Sequence, residues 1–98
     1  MAVRLGHSGR VDNTQAEIIR ALEQAGMRAR SIAVVGNGFP DLLVGWRGRT
    51  YLLEVKTGNA RLTAAEEQWR ETWPGHYAIV RTPDEAVLAV LSESGQSD

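Results

Sequence analysis

The spacing of apolar residues changes along the chain, and each change marks an element. Ile18, Leu22 and Ala25 recur at helical spacing and Gly26 follows as a stop, which predicts a helix over residues 15–25. Residues 29–35 are rich in β-branched side chains and read as a strand. Residues 41–46 and 49–55 are apolar stretches on either side of Gly48, a hairpin signal. Ala65, Trp69, Thr72 and Trp73 then share one face of a second helix, ended by Pro74-Gly75. Residues 76–81 read as a fourth strand. Ala86, Val87, Val90 and Leu91 form the inward face of a short third helix.

The helix starts carry a common signal. Thr14-Gln15-Ala16-Glu17, Thr63-Ala64-Ala65-Glu66 and Thr82-Pro83-Asp84-Glu85 each fit a capping box, in which threonine caps the backbone and glutamate reaches back. Pro83 sits where proline suits a first turn. Residues 1–10 and 92–98 lack a periodic pattern and read as flexible arms. Helix, three strands, helix, strand, helix, with no repeat or linker, predicts a single α/β domain over residues 1–98.

Composition narrows the classes. Ninety-eight residues are too few for two cores, and 43% hydrophobic with 23% charged residues excludes a disordered or collagen-like chain. No apolar run reaches the roughly 20 residues of a membrane helix, and the first residues lack a secretory pattern. Zero cysteines exclude disulfides and thiolate metal sites and fit a reducing, cytoplasmic setting. Two histidines far apart argue against zinc. The net charge of −1 conceals a basic middle: from Arg28 to Arg61 six cations accompany two acids, while the remainder holds five cations and ten acids. Such a segment favours an anionic ligand, and equally describes a solvated face.

The two acids in that basic middle are Asp41 and Glu54, both beside apolar sequence, with Lys56 two residues further on. Buried acids and lysines are rare unless paired. A hairpin closed symmetrically on Arg47-Gly48 pairs Trp46 with Arg49 and places Asp41 opposite Glu54, with side-chain roots about 4.5–5.5 Å apart. Lys56 points the same way. Two anions about 5 Å apart at an effective dielectric near 20 repel by about 3 kcal/mol. Lys56 offsets part of that cost, and a divalent cation with open water positions, Mg²⁺ or Mn²⁺, offsets more. Of eleven cations, Lys56 is the one lysine, consistent with a need for a compact, rotatable ammonium there. A structural ion pair at a strand end is the competing reading of the same charges.

Gly38-Phe39-Pro40-Asp41 followed by Tyr51-Leu52-Leu53-Glu54-Val55-Lys56 resembles the Pro-Asp…Glu-x-Lys signature of the PD-(D/E)XK nuclease superfamily. Within it the chain resembles the VRR-NUC family, in particular its small stand-alone members from phages and bacteria. The likeness runs from about Thr14 to Leu91. It takes in Glu17, the Leu62-Thr63 helix start and Val80-Arg81-Thr82, where Thr82 replaces the second arginine of the naming motif. It implies a restriction-endonuclease-like αβββαβ core with a short C-terminal helix, and a Mg²⁺-dependent endonuclease cutting branched DNA such as four-way junctions. Asp41, Glu54, the Val55 carbonyl and Glu17 would bind the metal, and Lys56 would orient the attacking water and stabilise phosphate charge. For Glu17, helix capping is an equal alternative. Glu66 and Gln68 are auxiliary candidates, Glu66 also explained by capping and Gln68 by an exposed helix position. Arg28, Arg30, Arg47, Arg49 and Arg61 would hold the DNA backbone. Trp69 and Trp73 read as core, and Trp46 as an exposed contact or interface residue. Cutting two strands in concert needs two active sites and so a homodimer. The rival expectation is a non-catalytic DNA-binding or assembly module that keeps the nuclease fold.

Overall fold

The computed structural model describes the backbone of residues 2–96 and the side chains of residues 13–93. It is a mixed α/β structure. Helix α1 (Ala2–Gln24) precedes β1 (Arg28–Ser31) and a 3₁₀ turn (Ala33–Val35). Strands β2 (Leu42–Trp46) and β3 (Arg49–Val55) follow, then α2 (Ala64–Thr72), β4 (His76–Val80) and α3 (Pro83–Gln96). The strands form one sheet in the order β1-β2-β3-β4. β1, β2 and β3 are antiparallel, whereas β4 lies parallel to β3, with α2 in the connection between them. Among the described residues no helix is long and apolar enough to cross a membrane.

The register of the hairpin follows from its turn. Arg47 (φ 54°) and Gly48 (φ 78°) both have positive φ, as a two-residue turn of the primed type requires. Trp46 accordingly pairs with Arg49, and the ladder runs back to Leu42 opposite Leu53.

Side chains alternate across this sheet, and its two faces differ. Leu42, Val44, Tyr51, Leu53 and Val80 point to one face and pack with Ile18 and Leu22 of α1 and Ala86 and Val90 of α3, all at most 2% exposed. Each such large apolar side chain contributes about 1.5–3 kcal/mol by burial. α1 ends in a Schellman motif: Met27 N–H donates to the Leu22 carbonyl (3.0 Å), Gly26 N–H donates to that of Glu23 (3.0 Å), and Gly26 has φ +95°. The turn exposes Ala25, expected to be buried, and buries Met27 in its place.

Other expectations need correction. α1 begins at Ala2, so residues 2–10, expected as a flexible arm, are helical, and Thr14 lies inside a continuous helix and does not start it. No proline interrupts residues 2–24, and the two glycines lower helix propensity by about 1 kcal/mol each without breaking the backbone ladder. The arm expected at residues 92–98 is helical to Gln96; Met1, Ser97 and Asp98 lie outside the described residues. The strand expected over 29–35 stops at Ser31, after which Ile32 N–H donates to the Asp41 carbonyl (2.7 Å) and the chain tightens into the 3₁₀ turn. Leu91 is exposed rather than inward. Trp46, expected at the surface, is half-buried against Gly26, and its indole nitrogen is buried without a hydrogen-bond partner.

Candidate active site

The opposite face of the sheet carries the acidic residues. Their seat is built by the loop before β2, where Gly36 (φ 70°), Asn37 (φ 56°) and Gly38 (φ 83°) turn the backbone sharply. Gly38 has a second constraint: a Cβ on it would stand 2.4 Å from the Ala65 carbonyl oxygen, so the loop lies directly on the first turn of α2. Buried Pro40 then leads into Asp41.

Asp41 joins the hairpin by a departure from the regular ladder. Its N–H donates to the Leu53 carbonyl (3.1 Å), and its Oδ2 accepts the Val55 N–H (2.8 Å). The side chain thus replaces a backbone partner just before β2 begins. Glu54, between Leu53 and Val55, points to the same side and lies against Asp41. It is 2% exposed, and its Oε1 is buried without a hydrogen-bond partner. Burial, then the Asp41 charge, pushes the Glu54 carboxyl up to about 8, so in the metal-free protein it holds a proton at neutral pH. The expected convergence of the two acids is therefore present, although the ladder proper stops one residue short of Asp41.

Lys56 lies on this face two residues beyond Glu54. Its Nζ stands 3.5 Å from Glu54 Oε2 and 2.7 Å from Glu66 Oε1. Burial alone would depress the ammonium; the Glu66 hydrogen bond and charge outweigh it and hold Lys56 above its ordinary value. Glu66 also completes the capping box: its Oε1 accepts the Thr63 N–H (2.8 Å), while its own N–H donates to Thr63 Oγ1 (3.2 Å). For Glu66, burial is outweighed by Lys56 and the Thr63 N–H, which hold the carboxyl below the usual glutamate range. Capping and the lysine contact are thus one arrangement, not alternatives. Tyr77 of β4 borders the cluster; burial and the Glu54 charge push its hydroxyl up to about 12.

The remaining sequence candidates separate by position. Glu17 is exposed on α1, and among the described residues no group of three acidic or histidine side chains is spaced to hold a metal ion. Gln68 is exposed on α2 and does not enter the contacts of Lys56 or Glu54. Val55 contributes its N–H to Asp41. Arg28 and Arg30 flank buried Ala29, so both leave β1 on the side of the acids; the Arg28 guanidinium stands 3.9 Å from Glu23 of α1, and Arg30 Nη1 donates to the Ala29 carbonyl (3.3 Å). Arg47 sits at the hairpin turn with its guanidinium 5.2 Å from the Trp46 ring centroid, and exposed Arg49 follows it. Arg61 is exposed in the segment between β3 and α2. Arg81, not counted among the site residues, donates to the Gly58 carbonyl (2.8 Å) and pins that same segment.

α2 buries none of its residues completely. Ala65 and Thr72 are exposed, Trp69 is half-buried between Phe39 (5.2 Å) and Trp73 (5.1 Å between ring centroids), and Trp73 is 40% exposed. Of the face expected to be core, Trp73 instead borders an open cleft. Helical spacing reports that the residues share a side; it does not report how tightly that side is covered.

No family model matches the chain, and neither a curated protein nor a solved structure matches it.

Proposed function

We propose that the chain is a divalent-metal-dependent nuclease that hydrolyses phosphodiester bonds in DNA, with the restriction-endonuclease-like core and the VRR-NUC kinship that its Pro-Asp…Glu-x-Lys pattern resembles. One observation carries the reading. A carboxylic acid 2% exposed, with one oxygen unpartnered, lies against a second carboxyl and beside the chain's one lysine. That arrangement is costly without a cation, and the donor set of two carboxylates fits hydrated Mg²⁺ or Mn²⁺.

Asp41, Glu54 and the Val55 carbonyl are the groups that would hold the ion, for which Glu54 would have to be in its carboxylate form. A bound divalent cation lowers the pKa of the attacking water and offsets charge on the phosphate oxygens. Lys56 brings an ammonium with three donors to the same place, where it orients that water or hydrogen-bonds a phosphate oxygen. Glu66 keeps the ammonium there. The water oxygen bonds to phosphorus, the bond to the leaving oxygen breaks, and a proton ends on the leaving oxygen. The cations Arg28, Arg30 and Arg61 hold neighbouring phosphates. Two copies acting together would cut both strands of a junction.

The test is cleavage of four-way junctions and linear duplexes in Mg²⁺. Asp41→Ala, Glu54→Ala and Lys56→Ala each lower the rate by about 10²–10³-fold or more, the scale of losing one preorganised charge-stabilising group. Mg²⁺ raises the melting temperature of the native protein but not that of Glu54→Ala. Undiminished cutting by all three variants removes the trio from the mechanism. DNA binding in EDTA with no product on any DNA in Mg²⁺ identifies a non-catalytic module.

A further inference from the structure

The face that carries the acids is ordered in rows across the strands. Glu54 lies beside Ile79, with Asp41 next to it. The second row, about 7 Å along the strands, is Arg30, Leu43, Leu52 and Tyr77. The third is Arg28, Gly45 and Thr50. A cleft of about 410 Å³ opens over the second and third rows, walled by Phe39 and Trp73 and floored by Leu43, Leu52 and Thr50. A trough of about 220 Å³, lined by Arg28, Arg30, Gly45 and Thr50, shares Leu43 and Thr50 with it. The two hollows are therefore contiguous, one apolar and aromatic, the other rimmed by arginine.

The cleft is rigid on its aromatic side. Trp73 is held by its indole N–H, which donates to the His76 carbonyl (3.1 Å), by the Trp69 ring and by Gly75, where any Cβ would stand 2.7 Å from the indole. Its floor is open at Leu43, which is 40% exposed, and the adjoining trough is open at Gly45, where a Cβ would meet nothing within 4 Å. An apolar slot bordered by aromatic rings, with arginine on one side and the acid pair about two residues along the strand on the other, matches one ligand chemistry. A base is flat and apolar on its faces, and its own backbone is anionic.

Resting on the nuclease reading of the trio, we infer that this cleft receives an unpaired nucleobase of the DNA strand, with Arg28 and Arg30 on its phosphates and the scissile phosphate at Asp41 and Glu54. The strand seated there is then unstacked on the cleft side of the cut. The order of the rows fixes the order along the strand: base pocket and basic trough on one side of the cut, not on both.

The test is fluorescence anisotropy in EDTA, where nothing is cut, with two fluorescein-labelled probes: an oligothymidylate and an abasic strand of the same length and charge. The native protein binds the oligothymidylate about tenfold more tightly, the effect of about one stacked base. Arg30→Gln weakens both probes alike. Leu43→Gln and Trp73→Ala, both at cleft residues 40% exposed and both checked by melting, abolish the difference between probes. Equal affinity of the native protein for the two probes overturns the inference, as does a preference that survives in both cleft variants. Sedimentation supplies a further outcome: a native dimer that Leu43→Gln dissociates means that a second copy fills the cleft, which also overturns it. Junction cleavage without the base preference removes the cleft and leaves the nuclease reading standing. The base preference with no cleavage in Mg²⁺ does the reverse.

Discussion

The two faces of the four-stranded sheet are built from the same strands and do opposite things. On the face beneath α1 and α3, Leu42, Val44, Tyr51, Leu53, Val80 and Val90 are closed to solvent and form the core with Ile18 and Leu22. On the other, α2 covers only part of the surface, and beside it lie a buried acid, an ion-paired lysine, an exposed leucine and an exposed tryptophan. Stability is concentrated on the first face, and the second departs from the rules that stability favours. Glu54 is one residue from Leu53 in sequence and on the opposite side of the sheet from it. The period of two in a strand is what allows a secure core and a costly acid pair to share one hairpin.

The sharpest way to break that comparison is to make the same truncation on both faces. Leu22→Ala removes a side chain that is 0% exposed, packed among α3 and sheet residues. It is expected to cost about 2–5 kcal/mol, and in a domain of this size each kcal/mol lowers the melting temperature by about 4–8 °C. Leu43→Ala, at a position 40% exposed on the open face, is expected to cost less than about 1 kcal/mol. Thermal melts of the two variants side by side measure this. Equal losses would show that the open face is packed as tightly as the closed one.

A smaller effect of opposite sign is expected at Glu54, measured in EDTA. The native state holds a proton on this group up to about pH 8, whereas the unfolded chain releases it near 4.5. The folded protein binds more protons throughout that window, so its stability is fully present below about 4.5 and falls as the pH rises through about 8. Glu66, held low, and Lys56, held high, titrate outside the window. Glu54→Gln removes the slope. Its melting temperature should exceed that of the native protein at pH 8 by several degrees, and the gap should close toward pH 5. A substitution that stabilises the fold and abolishes cleavage would mark this residue as kept for chemistry. A native melting temperature flat from pH 5 to 8 would mean that Glu54 is ionised throughout.

Much of the closed face was legible in the sequence, because its signals are local or periodic. Ile18 and Leu22 follow from helical spacing, Gly26 from its place after them, and the β2–β3 register from the Arg47-Gly48 turn. That register carried Asp41 toward Glu54, the step on which the candidate site depends. What escaped was decided by contacts between distant elements. Trp73 shares a helix face with Trp69, but only the depth of the α2 packing determines that it borders a cleft. Trp46 reads as a surface aromatic near a turn until Gly26 is placed against it. Glu66 reads as a complete capping residue, and nothing in the local sequence shows that α2 starts close enough to Gly38 for its carboxylate to meet Lys56 as well.

That last contact yields the finest test, because α2 and α3 start on matching threonine caps. Thr63 Oγ1 accepts the Glu66 N–H at the start of α2 (3.2 Å), and Thr82 Oγ1 accepts the Glu85 N–H at the start of α3 (3.1 Å). At α3 the reaching glutamate binds backbone alone, accepting the Arg81 N–H (2.7 Å). At α2 it also holds Lys56. Thr63→Ala and Thr82→Ala should therefore cost the same stability, about 1 kcal/mol each. They should part in activity. Loss of the Thr63 hydroxyl loosens the first turn of α2 and with it the carboxylate that positions the ammonium, so DNA cleavage falls several-fold. Thr82→Ala, on the closed side, leaves cleavage unchanged at a temperature where both variants are folded. Equal activity in the two variants would reduce Glu66 to a cap and leave Lys56 positioned by Glu54 alone.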